Sequence, residues 1–181
     1  MSSVPQNPQG SMGRPLAWAS SLAVSLALLI LLAGPLPLAN VRETGWSPDV
    51  LWRESFWQQV SGYALAGLVV AALSFSLRKR WRRLKFVNYH VWRLVHAFLG
   101  SAALLVLILH TGFRLGTGLN FQLMADYLGL CLSGAAIGAL TTMGSASRLA
   151  RLRAWIFNIH LGLLWVFPVL LGFHVLAAYY F

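Results

Sequence analysis

"HAFLGSAALLVLILH", residues 96–110, holds two histidines fourteen residues apart with no charge between them. "HLGLLWVFPVLLGFH", residues 160–174, repeats the arrangement. The chain has only five histidines, and four of them stand at the ends of these two apolar stretches. A helix turns about 100° and rises about 1.5 Å per residue, so fourteen residues fall about 40° short of four turns and cover about 21 Å. Each pair therefore shares one helical face, with its members at two depths.

Working outward, the whole chain is oily. Of its 181 residues 58% are hydrophobic and 10% charged, and the mean hydropathy is +0.68. A soluble domain carries about 25% charged residues. Apolar runs of about 20 residues read as membrane-crossing helices, because only a helix satisfies its own backbone in hydrocarbon. Five are expected, at about 16–38, 56–77, 89–113, 121–143 and 154–180, the bounds carrying a few residues of play. The expected fold is all-α and integral to the membrane: a five-span bundle over 16–181 behind a cytoplasmic tail, 1–15. The first run also resembles a signal peptide, with Arg14 before it and "LPLAN" near a cleavage site. Its apolar length, Leu16 to Ala33, favours a retained span.

The net charge of +10 first suggests a nucleic-acid partner. Mapping the charges removes that reading. "RKRWRRLK", residues 78–85, lies between the second and third spans, and Arg148, Arg151 and Arg153 lie between the fourth and fifth. In a five-span serpentine these fall on one side with Arg14 and Arg93, making eleven of the fourteen basic residues. Arg42, Arg53, Arg114 and all four acids, Glu43, Asp49, Glu54 and Asp126, fall on the other. Basic residues gather on the cytoplasmic side. The N-terminus is therefore expected inside and the C-terminus outside, in a bacterial inner membrane. The basic clusters need only anionic lipid headgroups for company.

Spans three and five run in the same direction. His96 and His160 then share the inner depth, and His110 and His174 the outer. A haem takes an axial ligand on each face of its iron, and neutral imidazole suits iron. Bundle cores are where such cofactors sit. The expectation is two b-type haems between spans three and five, His96 and His160 on the inner iron and His110 and His174 on the outer. Zinc fits less well, since it wants four ligands at one point and each level offers two. Histidines that merely hydrogen-bond in the bilayer are the plain alternative, but ionisable residues there are costly. His90, about 240° around from His96, is off the ligand face and reads as interfacial.

Arg93 lies three residues before His96, and Arg114 four after His110, each on the ligand face and nearer its own interface. Arginine pairs well with carboxylates, so both are candidates for haem propionates. Snorkelling to the interface is the alternative role. Gly100, Gly162 and Gly172, and the G-x-x-x-G of Gly134 and Gly138, allow close approach of helices or a flat macrocycle. Pro168 is expected to kink span five. Trp57, Trp81, Trp92, Trp155, Tyr179 and Tyr180 read as interface anchors. The single cysteine, Cys131, reads as a small buried apolar residue, and there is no C-x-x-C-H for covalent haem attachment.

On these residues, with "RLVH" (93–96) and "IHLG" (159–162), the chain resembles the ferric reductase-like transmembrane domain superfamily. That group includes NADPH oxidases, metalloreductases and the haem subunit of a bacterial methionine sulfoxide reductase system. The spacing is also similar to that of the cytochrome b of quinol-oxidising complexes. The resemblance covers roughly residues 56–180. It implies a dihaem b-type membrane cytochrome with its histidines in spans three and five. The sequence departs from the family in ending at Phe181, without a sixth span or a flavin and nicotinamide domain. No G-x-G-x-x-G or P-loop is present, and no nucleophile or base stands out as a catalytic site. The expected role is therefore an electron-transfer subunit of an oxidoreductase complex, fed by a redox partner protein or a quinone. Two alternatives stand beside it. One is the membrane anchor of a quinone-linked oxidoreductase, with Asp126 or His90 as the protonatable group. The other is a haem handler or non-redox scaffold.

Overall fold

The computed structural model describes residues 9–33, 54–77, 89–143 and 147–180. Within them lie five helices and no strand: α1 Gln9–Ala33, α2 Ser55–Leu77, α3 Tyr89–Thr111, α4 Leu119–Thr142 and α5 Ser147–Tyr180. Four of them, α2 to α5, are long and apolar enough to cross a membrane. The first carries a shorter apolar stretch, Pro15–Leu29. The expected residues 34–38 of the first span, the loop 78–88 and most of the tail lie outside the described residues.

Two boundaries differ from the sequence reading. Helix α5 starts seven residues early and carries Arg148, Arg151 and Arg153 in its first two turns. Hydropathy marks where a helix is oily and not where it begins, so a polar helical extension escapes it. Helix α3 ends at Thr111, two residues before the expected 113. Gly112 and Phe113 both adopt left-handed backbone, at φ 56° and 64°, and the Gly112 N–H closes the last turn on the Ile108 carbonyl at 2.9 Å. Glycine makes this conformation easy; phenylalanine rarely takes it. The 34-residue α5 runs on through Pro168.

The helices pack as two hairpins. Helix α2 lies on α3, and α4 lies on α5. The described backbones of α3 and α5 do not approach closely, and α3 touches α4 only slightly. Helix α1 wedges between α3 and α4. Its buried residues, Ala19, Ser20, Ala23, Leu26 and Ala27, meet a core that includes Ser101, Ala103, Leu104 and Ala135. Lipid tails are as apolar as leucine, so burial itself drives little association here; close packing and hydrogen bonds do. Small residues provide the first. The Ser101 hydroxyl, 3.1 Å from the Ala97 carbonyl and 3.3 Å from the Ala19 carbonyl, provides the second. A methyl group added at Gly138 would collide with the Ser20 hydroxyl, so Gly138 is what lets α1 come this close.

The outer faces are apolar and exposed, including Trp18, Phe56, Val70, Trp165, Val169 and Phe173, as a lipid-facing surface would be. On that surface the Tyr63 and Tyr179 hydroxyls hydrogen-bond across from α2 to α5. The end of the bundle holding Arg93, Arg148, Arg151 and Arg153 is called the basic end below, and the opposite one the far end.

Candidate functional site

The gap between α3 and α5 is where the four histidines meet. At the far end the rings of His110 and His174 have centres 6.4 Å apart, with planes inclined at 79°. At the basic end His96 and His160 line one cavity of about 770 Å³. The same-face reading of both fourteen-residue spacings therefore matches the geometry, and Pro168 does not turn His174 away from the gap.

Each imidazole is aimed by a hydrogen bond at Nδ1. His96 donates to the Ala72 carbonyl at 3.1 Å. His174 donates to Asn120 Oδ1 at 2.9 Å. His110 lies 2.9 Å from Ser61 Oγ. That serine also lies 2.8 Å from the Trp57 carbonyl; with its proton there, its oxygen accepts from a His110 Nδ1–H. His160 repeats the device. Its Nδ1 reaches Ser133 Oγ at 3.0 Å and the Leu130 carbonyl at 3.1 Å, and Ser133 gives its proton to the Gly129 carbonyl at 2.7 Å. Partners of this kind suit an Nδ1–H at all four rings, which leaves Nε2 as the nitrogen that could meet a metal. Metal-bound histidines are held in this way, the non-ligating N–H tied to an acceptor.

Two glycines lie beside two of the rings. A Cβ at Gly62 would stand 3.4 Å from His110 Cε1, and one at Gly134 would stand 3.4 Å from His160 Cε1. The same dipeptide therefore occurs twice, Ser61-Gly62 on α2 and Ser133-Gly134 on α4. Each time the serine hydrogen-bonds an imidazole of the following helix and the glycine lies beside that ring. The pair Gly134 and Gly138, read from sequence as one helix-packing motif, is used for two different approaches: His160 at the first, α1 at the second.

The other singled-out residues divide. Arg93 lines the basic-end cavity with the two histidines. Arg153 of α5 and Asn158 line it too, and sequence reading had left Arg153 in a loop. Arg114 is exposed and lies in the turn after α3. Because the helix stops at Thr111, the four-residue spacing from His110 does not place Arg114 on the ligand face. His90 is in the first turn of α3, but its side chain lies outside the described residues. Cys131 is a free thiol on the cavity wall. Asp126 is 7% exposed, well inside α4 and not at its edge, and its Oδ2 has no hydrogen-bond partner.

Among the described residues no three His, Cys, Asp or Glu side chains converge on one point. Each level brings two imidazoles together from α3 and α5, so an ion held there would need further ligands beyond these described side chains. No family model matches the chain, nor does any curated protein or solved structure.

Proposed function

We propose that this chain is a membrane cytochrome that holds two b-type haems, each between one histidine of α3 and one of α5, and carries electrons through the bilayer. The observation that carries the reading is the far-end pair. Two imidazoles on opposite faces of one metal put their ring centres about 6.4 Å apart, given a metal–nitrogen bond of about 2.0–2.1 Å and a ring radius of about 1.1–1.2 Å on each side. His110 and His174 are 6.4 Å apart. Their planes are inclined at 79°, and ligation leaves each ring free to rotate about its own metal–nitrogen bond.

The basic-end level supports the same reading. Its cavity of about 770 Å³ falls within the size of cofactor sites, about 300–1,000 Å³. Arg93 and Arg153 stand in its wall, suited to a carboxylate-bearing ring. Bound haem supplies the one-electron chemistry, and the chain's own residues orient it, exclude water and tune it. The two levels lie about 21 Å apart along the axis, from the helical rise. The resemblance to the ferric reductase-like group agrees with this arrangement, and the charge distribution supports an inner-membrane protein with its basic end in the cytoplasm. Electrons then come from a partner protein in a complex, or from a quinol. A crevice of about 220 Å³ between α2 and α3, lined by Ser74, Trp92 and His96 among others, keeps the quinol route in view.

The test is direct. Purified chain should yield two acid-acetone-extractable haems. His96→Ala and His160→Ala should each remove the same one, and His110→Ala and His174→Ala the other, while His90→Ala keeps both. One haem per chain, or a pairing that crosses levels, overturns the reading.

A further inference from the structure

Asp126 is the one buried acid among the described residues. It is unexplained by the ligand geometry above. A carboxyl group in hydrocarbon is costly, and groups of this kind are functional by default. A buried polar atom without a partner needs its own account. The Oδ2 of Asp126 has none, and Asp126 sits among buried Met124, Tyr127 and Leu128.

Its depth is informative. On α4, Asn120 holds the far-end His174 and Ser133 holds the basic-end His160. Asp126 lies six residues below the first and seven above the second, so about 9 Å and about 10.5 Å along the axis from them. It stands midway between the two histidine levels. Ionisable side chains on the elements packed against α4 are few. Between Pro15 and Leu29, α1 has none. In α3 they are Arg93, His96 and His110. In α5 they are Arg148, Arg151 and Arg153 at the basic end, His160 and His174, and Tyr179 and Tyr180 at the far end. Tyr127 and Cys131 complete the set on α4 itself.

We propose that Asp126 is the proton-accepting partner of the electron carriers. The inference rests on the two-haem reading. An Fe(III) ion with a porphyrin dianion and two neutral imidazoles has a core charge of +1. Asp126 as a carboxylate balances the charge of one of the two cores across the apolar interior. One electron from the donor takes the core to zero, and the uncompensated carboxylate takes one proton from water to become the acid. One electron and one proton enter together, and the interior charge is unchanged. Oxidation reverses both. This gives the buried acid a counter-charge that no side chain supplies.

Potentiometry of the haem-loaded chain across neutral pH is the test. Midpoint potentials should fall as pH rises, by up to about 59 mV for each tenfold change in proton activity in a one-electron couple. Asp126→Asn should flatten that slope and Asp126→Glu should keep it. An unchanged slope in a haem-loaded Asp126→Asn protein overturns the inference and leaves the two-haem reading standing. If the asparagine variant fails to assemble, a second measurement decides. The chain has two aspartates, Asp49 and Asp126, so Asp49→Asn protein grown on carbon-13 aspartate carries the label at Asp126 alone. Its reduced-minus-oxidised infrared spectrum should contain a label-sensitive carboxylic acid band. Absence of that band overturns the inference. A chain that takes up no haem at all overturns the reading and the inference together.

Discussion

Asn120 is the clearest residue on which to test how the site is built, because its side-chain oxygen is what aims His174. Loss of such a supporting bond usually costs about 10–100-fold in metal affinity. Asn120→Ala should therefore weaken far-end haem binding by that order, read as faster haem loss to an apo-globin acceptor, and leave the basic-end haem in place. Asn120→Asp keeps an acceptor and should retain the far-end haem better. The two serines give the matching pair of expectations. Ser61→Ala should disturb the far-end spectrum and Ser133→Ala the basic-end one. Loss of the opposite haem in either variant contradicts the assignment of levels. None of these supporting residues was legible in the sequence. The shared face of each histidine pair was, because a fourteen-residue spacing is a property of one helix. The supports lie on a different helix from the ring they hold, so their pairing depends on inter-helix register, which one sequence does not reveal. A trace does exist in the repeated Ser-Gly at 61–62 and 133–134, which acquires meaning only once the rings are placed beside it.

At the scale of elements, two close approaches decide the packing. Gly138 admits Ser20 of α1, and overpacking at such a contact typically costs about 1–3 kcal/mol. Gly138→Ala should lower the thermal midpoint of the protein in detergent, and Ser20→Gly in the same chain should restore much of the loss. Equal melting of the single and double variants would place the strain elsewhere. The turn between α3 and α4 is the second. Gly116 has φ +74°, and a Cβ there would lie 2.8 Å from Asn120 Cβ. Gly116→Ala should displace Asn120 and loosen the far-end haem, as Asn120→Ala does, although Gly116 touches no ligand. The spans themselves were legible from composition, since hydrocarbon leaves no alternative to helix for an apolar run. The place where α3 stops was not. It is set by left-handed backbone at Gly112 and Phe113, and phenylalanine gives no warning of such a turn. That is why Arg114 read as part of the ligand face, and why Arg153, on a helix that begins earlier than its oily part, did not.

For the whole molecule the charge asymmetry makes a prediction of its own. If the basic end faces the cytoplasm, as clustered Lys and Arg favour, a reporter after Phe181 should read as periplasmic. If electrons arrive from an acidic cytoplasmic donor, entry should slow with salt, since the screening length falls from about 10 Å at 0.1 M to about 3 Å at 1 M. Neutralising Arg80, Arg82 and Arg83 should remove much of that sensitivity. Rapid reduction by quinol, indifferent to both, would favour the quinone-linked alternative.

The two-hairpin arrangement has a consequence for how the protein comes together. Each histidine is oriented from within its own hairpin: Ser61 and Ala72 of α2 serve α3, while Asn120 and Ser133 of α4 serve α5. Either half can therefore leave the translocation machinery with its imidazoles already set, before the other exists. The halves already meet through α1, which packs on both α3 and α4, and a ring clamped between the histidines of α3 and α5 would add its binding energy to that of assembly. Cut at the α3–α4 turn and produced as two fragments, the chain should rejoin more fully in cells supplied with haem than in cells starved of it.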